Sequence, residues 1–273
     1  MVSVLAAVKK KKKSHGVRSF LLTFFISLFA LFSVAAVYFI IVKEPLDFTI
    51  MGDWFKGNQT ASHSGTVQGY GLVQESGAVD DSYFDDAVFL GDSLTRGMLL
   101  QPYTENSTVL GVDGIHLEQV LNQKAYELPN GRSAKAVDAV TARNPKKIYI
   151  MLGSNGVNYL DLDEMINDYE RLINLLKEKN PEAIFYIQSI PPATESYVKA
   201  GKSSAKKIRK YNEKLLELAE ETECYYLDTY SQFVTESGYL PRSLSSDNTV
   251  HLNDDGYEIM FDYLKTHTVA TKN

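Results

Sequence analysis

A serine at the end of an apolar run is the first group in this sequence that could do covalent chemistry. Ala87-Val88-Phe89-Leu90 stops at Gly91-Asp92-Ser93, and amphipathic residues resume at Leu94 and Met98-Leu99-Leu100. The pattern predicts a buried strand, a tight turn and the start of a helix. It puts Ser93 at the carboxyl edge of a sheet, where open α/β folds bind their ligands. The Ser93 N–H then lies at a helix N-terminus, which favours developing negative charge. A serine hydroxyl is unreactive at its free pKa and needs a base beside it.

The chain has five histidines. His15 lies in the basic N-terminal stretch and His63 in a polar, glycine- and serine-rich one. His267 follows the last predicted helix and reads as a solvated residue near the C-terminus. His116 and His251 remain. His116 comes just after Gly114 and reads as a surface residue near the rim of a site.

Further apolar runs also end in glycine. Thr108-Val109-Leu110-Gly111-Val112-Asp113-Gly114 is one, and Ile148-Tyr149-Ile150-Met151-Leu152 before Gly153-Ser154-Asn155-Gly156 is another. Near the C-terminus stands Asp247-Asn248-Thr249-Val250-His251-Leu252, followed by Asp255-Gly256-Tyr257. In order, Gly91-Asp92-Ser93-Leu94, Gly114, Gly153-Ser154-Asn155 and His251 with its following residues resemble the four signature blocks of GDSL/SGNH hydrolases. The resemblance covers roughly residues 85 to 268.

It implies a serine esterase with Ser93 as nucleophile and His251 as base. An attacked ester passes through an oxyanion that needs preorganised donors. The backbone N–H of Ser93, the N–H of Gly114 and the side-chain amide of Asn155 are the candidates, with Gly111 a rival for Gly114. Asp92 is expected to brace the turn without a catalytic part.

The sequence departs from the family pattern at the acid. The family places an aspartate three residues before the histidine, where this chain has Asn248. Asp247 lies four before. A carboxylate there would orient the imidazole and stabilise its protonated form. Asp247 on a bulged loop, Asn248 as a neutral orienter, and a Ser93–His251 dyad are the three readings. Gly156 also stands where the family often has an acid. No His, Cys or Asp cluster has metal-ligand spacing, and no cofactor is expected.

The elements that must position these residues alternate from Ala87 onward. Strands are expected at Ala87–Leu90, Thr108–Gly111, Lys147–Leu152, Ile184–Ser189 and Cys224–Asp228. Leu162 to Lys179 and Ala205 to Glu221 are strong amphipathic helices. Shorter helices are expected at Leu117–Gln123, Ala134–Arg143 and Asp255–Lys265. Five strands with intervening helices predict a parallel sheet covered on both faces, a flavodoxin-like three-layer α/β/α sandwich. The lone Cys224 excludes an internal disulfide and reads as a packing residue.

Ahead of this domain the composition changes. Residues 1–18 hold six basic residues and no acid, so the rest of the chain carries −12 of a total of −6. Ser19 to Val42 is uncharged and would span about 36 Å as a helix, enough to cross a bilayer. The reading is a cytoplasmic basic tail (1–18), a transmembrane anchor (19–42), an extracytoplasmic stalk (43–84), the hydrolase domain (85–268) and a short tail (269–273). A cleaved signal peptide is the competing reading. The acidic exterior argues against nucleic acid as a partner.

The function expected is that of a membrane-anchored serine esterase facing outward. It would remove acyl groups, O-acetyl above all, from an envelope or exported carbohydrate. An O-acyltransferase using the same acyl-enzyme is the first alternative. A non-catalytic carbohydrate-binding module with a degenerate triad is the second.

Overall fold

Two strands of five consecutive buried residues, Ala87–Gly91 and Lys147–Met151, lie side by side in the interior of the sheet. Such runs have no polar face, so both sides must be covered. In the computed structural model, which describes residues 69–270, helices cover them. The strands are β1 (Gly71–Leu72), β2 (Ala87–Gly91), β3 (Thr108–Gly111), β4 (Tyr126–Glu127), β5 (Ser133–Ala134), β6 (Lys147–Met151), β7 (Ile184–Gln188) and β8 (Tyr225–Leu227). Six of them make a parallel sheet in the order β1-β8-β7-β6-β2-β3, and β4 and β5 form a small antiparallel hairpin.

Without β1, the five longer strands follow the order 2-1-3-4-5 of one common doubly wound fold. The chain leaves β2 to one side to make β3 and returns on the other to make β6. The carboxyl ends of β2 and β6 therefore flank the switch point, where such folds leave a crevice.

The helices are α1 (Ser93–Gly97), α2 (Leu117–Asn122), α3 (Ala136–Thr141), α4 (Leu162–Lys179), α5 (Glu195–Lys199), α6 (Ala205–Glu221), α7 (Tyr230–Phe233) and α8 (Asp254–Thr266). The bounds expected for α4 and α6 match those observed. In α4, Asp161 caps the first turn by accepting from the Asp163 and Glu164 amides. Asp163 and Glu164 open the helix and Lys177 and Lys179 close it, complementing its dipole. Met165, Tyr169, Leu172, Ile173 and Leu176 form its buried stripe. Each such apolar side chain contributes about 1.5–3 kcal/mol on full burial.

Two buried tyrosines tie this layer to β6. Tyr169 of α4 donates to the Ile150 carbonyl at 3.0 Å, and Tyr211 of α6 to the Leu152 carbonyl at 3.1 Å. An aromatic column also runs across the sheet. Phe89 stacks on Tyr149 at 4.8 Å and Tyr149 on Tyr186 at 4.5 Å, while Phe261 of α8 packs edge-on against Phe84 and Phe89. Lys147 is buried at the start of β6, paired with Asp86 and seated over the Tyr83 ring.

The sheet has six strands where five were expected. The added strand β1 lies in the segment expected as stalk, and pairs through Gly71 N–H to Cys224 O at 2.9 Å and Val73 N–H to Tyr226 O at 2.9 Å. Phe84, also in that segment, is fully buried. The folded unit thus reaches back past residue 85. Two paired residues in a polar stretch give no periodic signal. The expected tail and anchor at 1–18 and 19–42 lie outside the described residues. Among the described residues no helix is long and apolar enough to cross a membrane.

Candidate active site

β2 ends at Gly91, and Asp92 caps the short helix that follows by accepting from the Leu94 amide at 3.0 Å. Ser93 is thereby the first residue of α1, just past the carboxyl end of β2. Its neighbour across the sheet is the end of β3, where Gly91 pairs with Gly111. A Cβ on Gly111 would come within 2.2 Å of the Arg96 backbone nitrogen. Glycine is required there so that α1 can rest on β3. Gly114 differs: no atom crowds its Cβ position, but its φ of +70° lies in the left-handed region.

The other half of the site comes from the loop before α8. Ser246 N–H donates to His251 O at 3.1 Å, Ser245 and Leu252 form an antiparallel bridge, and Asn253 N–H donates to Leu244 O at 3.0 Å. Residues 247–250 are therefore the tip of a closed bend. Asn248 takes φ +62° within it, a conformation that asparagine tolerates better than most residues. The bend brings Asp247 back beside the ring.

His251 Nε2 lies 2.9 Å from Ser93 Oγ, and His251 Nδ1 lies 2.6 Å from Asp247 Oδ2. Asp247 Oδ1 accepts from the Thr249 amide at 2.9 Å and its hydroxyl at 2.6 Å. Partial burial pushes the Asp247 carboxyl up. The hydrogen bonds from Thr249 and His251 outweigh that and hold it below the ordinary carboxylate range. Asn248 takes up the extra residue, and Asp247 occupies the Nδ1 position.

Ser93, Gly114, Asn155 and His251 line one open cavity of about 970 Å³. Asn155 sits in a tight turn closed by Gly156 N–H to Gly153 O at 3.0 Å, and its amide donates to the Ile115 carbonyl at 3.1 Å. That bond ties the turn after β6 to the loop that carries Gly114. At the rim, Arg96 pairs with Asp113 at 2.9 Å. Beyond α1, Met98-Leu99-Leu100 continues as a 3-10 turn with Met98 in the core and both leucines exposed on the cavity rim.

Two buried groups adjoin the Ser93 turn. Tyr257 of α8 donates to the Leu94 carbonyl at 2.8 Å, linking the helix after His251 to the turn of Ser93. Asp92 is fully buried with no cation paired to it, and burial pushes its carboxyl up to about 7. Its second oxygen has no protein partner.

The other two described histidines, His116 and His267, do not line this cavity. His116 precedes α2, where its amide donates to Gln119 Oε1 at 3.2 Å. His267 is not the solvated residue expected. It is half-buried and stacks on Tyr263 with ring centroids 3.8 Å apart. Cys224 is buried just before β8. Among the described residues no group of three or more His, Cys, Asp or Glu is arranged to hold a metal ion.

The GDSL-like lipase/acylhydrolase family model matches residues 89–259, which span both halves of this site. Comparison with curated proteins gives no match. Among solved structures, one from Streptococcus pneumoniae, provisionally described as a platelet activating factor, is similar with a TM-score of 0.54 and 20% identity. The match covers 86% of this chain and 97% of that one. A GDSL-like lipase from Bacteroides thetaiotaomicron is similar with a TM-score of 0.53 and 19% identity, covering 66% of this chain and 85% of that one. At such identities the likeness speaks for the fold alone.

Proposed function

Because this chain belongs to the GDSL-like lipase/acylhydrolase family and is a serine ester hydrolase, we propose that Ser93, His251 and Asp247 carry its reaction. The hydrogen-bonded series Asp247–His251–Ser93 is the observation that supports this most. Ser93 Oγ attacks the ester carbonyl as His251 Nε2 takes its proton. The tetrahedral oxyanion is held by the N–H groups of Ser93 and Gly114 and the Asn155 amide. The intermediate collapses, the alcohol leaves with the proton from His251, and an acyl-Ser93 ester remains. Water, deprotonated by His251, then releases the acid and restores the serine.

The substrate proposed is an acylated, chiefly O-acetylated, carbohydrate of the cell envelope or an exported polymer. This part of the reading rests on location: a basic stretch and an uncharged apolar run precede the domain and would hold it outside the membrane. The open cavity leaves room for an alcohol much larger than the acyl group. The same room would admit an acceptor hydroxyl in place of water, which is the O-acyltransferase reading. Product analysis with and without an acceptor sugar separates the two.

Ser93→Ala should remove turnover of a chromogenic acetyl ester by several orders of magnitude while leaving the melting curve nearly unchanged. Wild-type turnover in that variant would overturn the mechanism. In intact cells, added protease should cut the domain from the membrane. Protection until lysis would reverse the proposed orientation.

A further inference from the structure

An extra residue in the acid–base loop is a liability, because Asp247 must still meet His251 to within tenths of an ångström. Something must hold the bend that absorbs it. The two peptides after Asp247 are both held by one residue from another part of the chain. Thr194 Oγ1 donates to the Asn248 carbonyl at 2.7 Å, and the Thr194 amide donates to the Thr249 carbonyl at 2.9 Å. Thr249 in turn gives its own amide and hydroxyl to Asp247 Oδ1. A hydrogen-bonded path therefore runs from Thr194 through Thr249 and Asp247 to His251.

Thr194 is well placed to serve as a fixed point. It is 1% exposed and sits at the end of Ile190-Pro191-Pro192-Ala193-Thr194, every residue of which is buried. The two prolines lock φ along this extension of β7. Its start is pinned to α6 by a reciprocal pair: Ile190 N–H to Asn212 Oδ1 and Asn212 Nδ2 to Ile190 O, both 3.0 Å. Its end is pinned by Leu240 N–H to Ala193 O at 2.9 Å. Thr194 also caps α5, but through a longer contact of 3.4 Å from the Tyr197 amide. The 2.7 Å bond to the Asn248 carbonyl is the tighter of the two.

We infer that Thr194 is a positioning residue of this active site, whose hydroxyl and amide clamp the left-handed bend at Asn248 and so keep Asp247 on His251. The inference rests on Ser93, His251 and Asp247 being the working triad. Thr194 touches no reacting atom; it acts through the loop.

The test is a double-mutant cycle on the full chain, read with a chromogenic acetyl ester. Thr194→Val keeps the shape and removes the hydroxyl. It should lower kcat roughly 10- to 100-fold with KM little changed, as expected for a misplaced acid–base pair. Thr194→Ser, which keeps the donor, should restore kcat to within about threefold of wild type. In an Asp247→Asn background Thr194→Val should cost no more than about twofold further, because residues on one path are not additive. Melting curves accompany each variant, and Thr194→Ala gives the same reading should valine fold poorly. Wild-type kcat in both Thr194→Val and Thr194→Ala, or an equal loss in both backgrounds, overturns the clamp and leaves Thr194 a structural cap. Ser93→Ala in the same assay separates the two ideas. If it stays active, the triad reading fails. If it is inactive while Thr194→Val behaves as wild type, only the clamp fails.

Discussion

Asp92 and Asp247 are both aspartates near Ser93, and their surroundings drive them in opposite directions. Asp247 accepts three hydrogen bonds and stays below the ordinary range. Asp92 is desolvated, and its carboxyl rises to about 7 from 3.8; the Leu94 amide and the nearby His251 pull it down and Asp113 pushes it up, but none offsets burial. The raised value has a thermodynamic consequence. Between about pH 4 and pH 7 the folded chain keeps a proton at Asp92 that the unfolded chain has lost. Stability from this group is therefore largest at acid pH and declines as pH rises through that window, by up to about 1.4 kcal/mol per unit. Asp92→Asn keeps an acceptor for the Leu94 amide and cannot ionise. Its thermal melts should be flatter with pH than those of wild type and should overtake them above neutrality. Parallel curves from pH 4 to 8 would refute the buried, protonated assignment.

At the scale of elements, the site depends on how closely α1, which begins at Ser93, lies against the sheet. Gly91 and Gly111 are register partners at the ends of β2 and β3, and the backbone of Arg96 in α1 occupies the space beside Gly111. Gly111→Ala places a methyl group against main chain that cannot swing aside. The helix must lift, and Ser93 moves with it. A stability loss of about 1–3 kcal/mol is expected from overpacking, together with a fall in kcat that Ser93 displacement brings. Urea denaturation and steady-state kinetics on the same preparation check both. Unchanged kinetics alongside lowered stability would mean that α1 yields without carrying Ser93 away. The helices themselves follow from local sequence. Asp161 and Ser204 cap α4 and α6, and acidic and basic residues sit at the favoured ends of α4.

For the whole molecule, the start of the folded unit is the structural surprise. Phe84 packs against Phe89, Tyr149 and Phe261, and β1 closes the far edge of the sheet on β8. A chain beginning at residue 85 should be less stable than one beginning at residue 69 by about 3–5 kcal/mol or more, the scale of losing one buried phenylalanine. Equal denaturation midpoints would return residues 69–84 to the stalk. The sequence by itself determined the alternation of strands and helices and the order of Ser93, Gly114, Asn155 and His251. Those are local facts, carried by apolar period, turn residues and short motifs, each readable within a dozen residues. It did not show which of Asp247 and Asn248 stands beside His251 Nδ1, because that depends on the path of a bend closed by Ser246, Leu252 and the distant Thr194. It showed no sign of β1, whose two residues become a strand only because β8 offers an edge. It also could not raise Asp92 above its ordinary pKa, since Asp92 looks like any turn aspartate until the folded core removes the water around it. Tertiary structure decided these points because each is a property of what lies opposite in space, and the residues opposite lie tens to more than a hundred positions away in the chain.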